Sequence, residues 1–216
     1  MSAAPQAFIP AMNTPLLDRK QYRQQLRQFR RNLTPLQQTT AARRLAWKLA
    51  RHPAFISAKN LALYWPSDGE ISPLPLMRIA LARGKQCYLP RLTRQGHTME
   101  FAAFAAGDRL HTNRFGIKQP SPCQPRITPA AVDLMLMPLV GFDQAGNRLG
   151  MGGGFYDRVL AGYRGLREIK LVGLAHQGQQ LSRIAKCSWD VPLHLIATDR
   201  TILRACQHHT PKKTLQ

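Results

Sequence analysis

The sequence predicts a three-layer α/β fold, a mainly parallel sheet with helices on both faces, and three observations carry that prediction. From residue 60 onward the texture is short apolar runs of strand length separated by turn residues. Two of those runs, "NLALYW" (60–65) and "KQCYLP" (85–90), flank the helix-like "SPLPLMRIALARG", and strand, helix and strand within about thirty residues make a βαβ unit. The chain has 216 residues with 44% hydrophobic content and no internal repeat or low-complexity linker, which suits one domain with a sizeable core.

Taken in order, residues 1–13 read as a flexible extension, 14–205 as the α/β domain and 206–216 as a basic tail. Thr14-Pro15 sets a helix start, with threonine as the cap and proline at the first helical position. Tyr22, Leu26, Phe29 and Leu33 follow at helical spacing as an apolar stripe. Arg23, Arg27, Arg30 and Arg31 occupy a neighbouring face, which serves equally as a solvated surface or as an anion-binding one. A second helix starts at "TPLQ" (34–37), the capping-box pattern of Thr34 and Gln37 around Pro35, and runs to about Arg51. The helix of the βαβ unit is capped by Ser72, opened by Pro73 and closed by Gly84. Further strands fall on "TMEFAAF" (98–104), "VDLMLMPLV" (132–140), "IKLVGLAH" (169–176) and "LHLIAT" (193–198), with "NRFGIKQPSPCQPRITP" (113–129) as a long surface connection.

Charge bounds the partners. Thirty-one Lys+Arg against 11 Asp+Glu give +20, a balance that favours polyanions, from nucleic acid to multiply charged small molecules. Residues 1–60 hold eleven basic residues and one acid, Asp18. No apolar run has the length of a membrane span and the N-terminus lacks the order of a signal peptide, so the expectation is a cytoplasmic protein. Cys87, Cys123, Cys187 and Cys206 are widely spaced without metal-ligand spacing, which reads as reduced and structural.

The stretch that asks for a function is "NRLGMGGGFYDRVL" (147–160). It follows the most apolar strand and precedes a helix-like run, the place where open α/β sheets bind phosphate on backbone N–H groups. It fits neither a Walker A loop, which needs GK[ST], nor the spaced GxGxxG of dinucleotide units. A polyphosphate cradle and a structural turn are both open at this point. Two flanking charges favour the cradle: Arg148 before the glycines as a phosphate partner, and Asp157 after them, where a carboxylate beside phosphates implies Mg2+.

The run "PLVGFDQAGNRLGMGGGFYDRVL" (138–160) resembles the signature of the 5-formyltetrahydrofolate cyclo-ligase family, also called 5,10-methenyltetrahydrofolate synthetases. The resemblance extends from about residue 18 across nearly the whole chain. "RQQLR" (23–27) is similar to the family's basic helix, "GEISPLPLMRIALARGKQCYLPR" (69–91) to its second block, and "WDVPLHLIAT" (189–198) to its late segment. By position, the resemblance implies ATP binding by Arg23, Gln24, Gln25, Leu26 and Arg27, and by Arg148, Leu149, Gly150, Met151, Gly152, Gly153, Gly154, Phe155 and Tyr156. It implies folate contacts at Trp65, Glu70 and the run Met151 to Phe155, and Mg2+ ligands at Asp157 and Asp190. The chain departs from the family at Met151, often Arg there, although "LGMGGG" also resembles a bacterial variant, and at His194, often Asp.

The implied reaction converts 5-formyltetrahydrofolate and MgATP to 5,10-methenyltetrahydrofolate, ADP and phosphate through a phosphorylated formyl oxygen. It needs no covalent nucleophile, which suits a sequence without an identifiable Ser/His/Asp or Cys/His set. Arg148 and Asp157 are then the expected catalytic pair, and His97 and His176 are left as structural. The expected partners are the folate, polyglutamylated forms included, and ATP, for a monomer without membrane or nucleic-acid contact. The competing reading is a basic nucleic-acid-binding protein on an enzyme-like scaffold, for which the charge and the tail "HHTPKKTLQ" speak; a phosphosugar isomerase or acyl-CoA transferase of related topology is a third.

Overall fold

A computed structural model describes residues 19–93, 96, 98–161, 169–185 and 191–205. The expected helix start at Thr14, together with His97, Cys187, Asp190 and Cys206, lies outside the described residues.

Three helices come first: α1 (Arg19–Arg31), α2 (Pro35–Leu49) and the short α3 (Pro53–Ser57). The capping box that opens α2 is present in full. Thr34 N–H donates to Gln37 Oε1 at 2.8 Å and Gln37 N–H to Thr34 Oγ1 at 3.2 Å, which satisfies two donors the helix cannot pair internally. Then follow β1 (Asn60–Ala62), α4 (Leu74–Ala82), β2 (Gln86–Leu92) and β3 (Met99–Phe104). Ser72 Oγ accepts from Leu74 N–H at the start of α4, and Gly84, at φ 69°, ends it. The segment from 110 to 127 carries three strands absent from the sequence reading, β4 (Leu110–Thr112), β5 (Lys118–Pro120) and β6 (Arg126–Ile127). They are two or three residues long and mostly solvent-facing, so they lack the apolar run that marks a strand. The rest is β7 (Leu134–Pro138), the ribbon β8 (Gly141–Phe142) and β9 (Arg148–Leu149), α5 (Phe155–Ala161), β10 (Lys170–Ala175), β11 (Leu195–Thr198) and β12 (Ile202–Arg204).

Among the described residues one sheet runs β12-β11-β10-β7-β1-β2-β3-β6. The five strands from β11 to β2 are parallel, and β12, β3 and β6 add antiparallel margins. β7 is apolar on both sides because both faces are covered. Leu134 and Leu136 pack into the core that includes Leu45 and Leu49 of α2 and Leu76 and Ala80 of α4. Met135 and Met137 turn the other way, into the core with Leu160 of α5.

This connectivity places the site. The chain leaves β1 through α4 toward β2 on one side, whereas β7, on the other side of β1, leads through α5 to β10. The strand order therefore reverses between β1 and β7, and ligands in open α/β sheets bind outside the carboxyl ends of strands at such a reversal. α1 lies across those ends, packed against β8 and the 3-10 turn Gln177–Gln179 that follows β10. It seats closely because two glycines meet it. A Cβ on Gly141 would stand 2.7 Å from Leu26 Cδ1, and one on Gly178 would stand 2.3 Å from Phe29 Cζ. No helix among the described residues is long and apolar enough to cross a membrane.

Candidate active site

The turn after β1, the glycine loop after β7 and the basic face of α1 meet at the strand reversal. The turn is "PSDGE" (66–70). Asp68 and Gly69 both adopt positive φ, 51° and 74°, and a Cβ on Gly69 would press within 2.7 Å of the Arg30 carbonyl. Gly69 is thus required twice over, by its backbone angle and by its closeness to α1. Asp68 gathers three guanidinium groups from the helix. Arg27 Nε donates to its Oδ2 at 2.8 Å, Arg30 Nη2 to the same oxygen at 2.7 Å, and Arg31 Nε to Oδ1. Burial alone raises the Asp68 pKa, but these three hydrogen bonds outweigh it and bring the group down to about 2.

Glu70 follows with its side chain only 9% exposed. Burial pushes its pKa up to about 7, against the pull of Arg30, whose Nη2 lies 3.9 Å from Oε1, and of the Ser67 N–H, which donates to Oε2 at 3.1 Å. A carboxyl poised between its two charge states at neutral pH is the kind of group that binding sites use for N–H partners. Two phenols share its surroundings. Tyr64, whose hydroxyl donates to the Ile71 carbonyl, and Tyr156 are both raised, first by burial and then by the Glu70 charge. His176 closes the turn from the far side, its Nε2 3.2 Å from the Gly69 carbonyl, which accepts; burial lowers its pKa.

The glycine loop is tied to α1 at its start, where Arg23 Nε donates to the Gly150 carbonyl at 2.8 Å. Gly152 and Gly154 take positive φ, 97° and 64°, and Met151 is half exposed with its sulfur 3.7 Å from Arg30 Nη2. Residues 152 and 153 are exposed and Phe155 opens α5, so the loop backbone faces outward. Arg148, only 9% exposed, donates through Nη2 to Asp157 Oδ1 and through Nη1 to the Val191 carbonyl. The two charges that flank the loop in sequence are thus a contacting ion pair. Burial chiefly raises the Tyr156 pKa, with the Glu70 charge raising it further and Arg148 lowering it.

Leu26 and Leu149 pack together in a core cluster with Val140, Leu181 and Ile184, so their side chains meet apolar neighbours. Gln24 and Gln25 are exposed and, with Gln21, Gln28 and Phe29, line an open groove of about 690 Å³ on α1. Trp65 is partly buried, edge-on to Phe104 at 6.3 Å with Lys118 Nζ 5.6 Å from its ring centre. Asp190 lies outside the described residues. Residues the sequence reading did not single out for the site are Asp68, buried Arg30 and Gln179, whose Nε2 donates to the Leu139 and Val140 carbonyls at 2.8 Å each. The signal for Asp68 is the Asp-Gly turn dipeptide in a chain with few acids.

Among the described residues no three His, Cys, Asp or Glu side chains converge, so a self-contained metal cage is absent there. Asp157, 27% exposed beside the glycine loop, is a hard oxygen donor of the kind Mg2+ takes singly when phosphates and water complete its shell.

The likeness to known proteins agrees with this geometry. The model of the 5-formyltetrahydrofolate cyclo-ligase family matches residues 16–199. A 5-formyltetrahydrofolate cyclo-ligase of Haemophilus influenzae is 40% identical over 177 residues, 81% of this chain and 94% of that one. Its Escherichia coli K12 counterpart is 34% identical over 175 residues, 80% and 96% of the two chains. The solution structure of Aquifex aeolicus 5,10-methenyltetrahydrofolate synthetase superposes with a TM-score of 0.75 at 27% identity, covering 93% of this chain and 97% of that one. With the fold, the strand-reversal site and these matches in agreement, the chain belongs to the 5-formyltetrahydrofolate cyclo-ligase family of enzymes.

Proposed function

We propose that the protein closes the imidazoline ring of 5-formyltetrahydrofolate at the expense of ATP, with Mg2+, releasing 5,10-methenyltetrahydrofolate, ADP and phosphate. The observation that carries this reading is α1, one helix joined to the glycine loop through Arg23 and to the Glu70 turn through Arg27, Arg30 and Arg31. A two-substrate reaction needs its phosphate cradle and its second binding group held in one frame, and a shared helix provides that.

The chemistry follows from the substrate. A formamide carbon is a weak electrophile and its oxygen a poor leaving group; transfer of the γ-phosphoryl group to the formyl oxygen, with ADP departing, corrects both. Nitrogen 10 then attacks the activated carbon, loses its proton, and phosphate leaves as the methenyl bridge forms. The residues act by placement and charge. The N–H groups of the exposed Gly152 and Gly153 would donate to the transferring phosphoryl oxygens, and Arg23 and Arg27 would supply positive charge at the loop and turn. Asp157, with Asp190 as its partner in the family pattern, would hold Mg2+, which when bound neutralises phosphate charge. Arg148 orients Asp157 through their contact, so its part is to hold the carboxylate in place. Glu70 would accept from the N–H edge of the pterin, with Tyr156 and Trp65 as apolar walls.

The test is the absorbance of the methenyl product on mixing the purified chain, 5-formyltetrahydrofolate, ATP and Mg2+. The expected result is an ATP-dependent rise that is lost in Asp157→Ala. No rise with folded wild-type protein sinks the reading, and a rise retained in the variant sinks the metal assignment alone.

A further inference from the structure

Arg30, one of the links between α1 and the Glu70 turn, touches no reacting group in the proposed chemistry, and it is fully buried. A guanidinium away from water is costly unless its donors are met and its charge is paired. Here the fork reaches three segments of chain. Nε donates to the Asp68 carbonyl at 2.7 Å and Nη2 to the Asp68 carboxylate at 2.7 Å, which grips the turn after β1 by backbone and side chain together. Nη1 donates to the Leu139 carbonyl just past β7, at 3.4 Å. Nη2 also stands 3.7 Å from the sulfur of Met151 in the glycine loop and 3.9 Å from Glu70 Oε1.

An apolar residue at this point of α1 would leave the Asp68 carboxylate and the Asp68 and Leu139 carbonyls without this donor. What a guanidinium adds is direction, since its planar fork fixes several acceptors in one geometry where a lysine ammonium acts as a point charge. The acceptors it fixes are the two arms of the strand reversal, and Glu70 is two residues from the one it grips hardest.

We infer that Arg30 is a positioning residue of the proposed cyclo-ligase site: paired with Asp68, it fixes Glu70 relative to the glycine loop and so governs the affinity for the folate rather than for the nucleotide. This rests on the cyclo-ligase reading above. The charged and titratable groups that face Glu70 are Arg30 from α1, Asp68 from its own turn, Tyr64 from the chain after β1 and Tyr156 from α5, while His176 reaches the turn through the Gly69 carbonyl. Of these, Arg30 bears on Glu70 as a cation and also makes hydrogen bonds to its turn.

The test is a double-mutant cycle on the full chain with Arg30→Lys and Glu70→Gln, read as kcat/KM for 5-formyltetrahydrofolate at saturating ATP, and as KM for ATP at saturating folate. Arg30→Lys keeps the charge and loses the fork. It is expected to lower kcat/KM for the folate about 10²-fold, the cost of a misplaced binding group, while KM for ATP holds. Adding it to Glu70→Gln is expected to lower the folate value far less than the product of the single effects, because Arg30 acts through Glu70. Losses that multiply, or that fall equally on folate and ATP, would mean that Arg30 only stabilises the fold, and would overturn the inference. Wild-type protein without turnover overturns the cyclo-ligase reading and this inference with it, whereas active wild type with multiplying losses overturns the inference alone. If circular dichroism shows Arg30→Lys unfolded, Asp68→Asn takes its place in the cycle, with the same expected non-additivity and the same refuting result.

Discussion

Replacing Asp68 by Asn keeps the shape of the turn and one acceptor while removing the charge that three arginines share. The size of the effect follows from the ionisation. The carboxyl moves from 3.8 to about 2 on folding. At about 1.4 kcal/mol for each tenfold change in proton affinity, that lowering makes the ionised form worth roughly 2 kcal/mol to the fold at neutral pH. The Asp68 side chain is 17% exposed, so solvent screens only part of this. For a chain of this size the loss lowers the melting temperature by about 4–8 °C. The sign of the pH dependence is fixed by the lowered pKa. The contribution is complete above about pH 4 and is lost as the pH falls through 2, with about 1 kcal/mol remaining at pH 3. Thermal melts of wild type and Asp68→Asn between pH 7 and pH 3 should therefore converge toward acid. A gap that stays constant across that range, or no gap at pH 7, would refute the argument that the charge of Asp68 holds the turn to the helix.

Three more outcomes follow from the same geometry. Gly69→Ala forces a Cβ against the Arg30 carbonyl at a positive φ, and is expected to lower stability by about 1–3 kcal/mol in denaturant titration and to raise KM for the folate. Glu70 has a raised pKa in the fold, so its contribution to stability is full below its unfolded value of 4.5 and is lost as pH rises through about 7. Wild-type melts should fall across that window, and Glu70→Gln should remove this component of the fall. Leu26→Ala, at a site 1% exposed, should cost about 2–5 kcal/mol of stability and leave KM for ATP unchanged, which distinguishes a core residue from a nucleotide contact.

The legible part of this protein was the part governed by periodicity. The five central strands, the helix between β1 and β2 and the capping box of α2 each left a pattern of apolar spacing or cap residues that the structure reproduces. Strand β1 came out shorter than the run "NLALYW": Leu63 still donates its N–H to the Tyr88 carbonyl of β2, and the chain beyond it runs on to the site turn. The short strands β4, β5 and β6 left no pattern, since pairs of two or three residues with outward side chains carry no apolar signal. At the candidate site, the motif pointed to the glycine loop and Glu70, which the fold sets at the strand reversal. Arg30 could not be separated from Arg27 and Arg31 as the buried member, because spacing shows which residues share a helix face and not what will cover it. Burial of a cation depends on an acid 38 residues away meeting it, and that is decided by the tertiary fold.

The hydrogen bonds of the site join stretches far apart along the chain. Arg23 and Gly150 are separated by 127 residues, Arg30 and Leu139 by 109, and Gly69 and His176 by 107. Closing such spans costs chain entropy before any contact rewards it, and parallel strands joined by long crossovers are late to pair for the same reason. Arg23 meets its acceptor only once α1 and the loop after β9, 127 residues apart, have come together. Catalytic competence is therefore a property of the finished molecule, and in refolding experiments it should return after helical signal and bulk burial have already recovered.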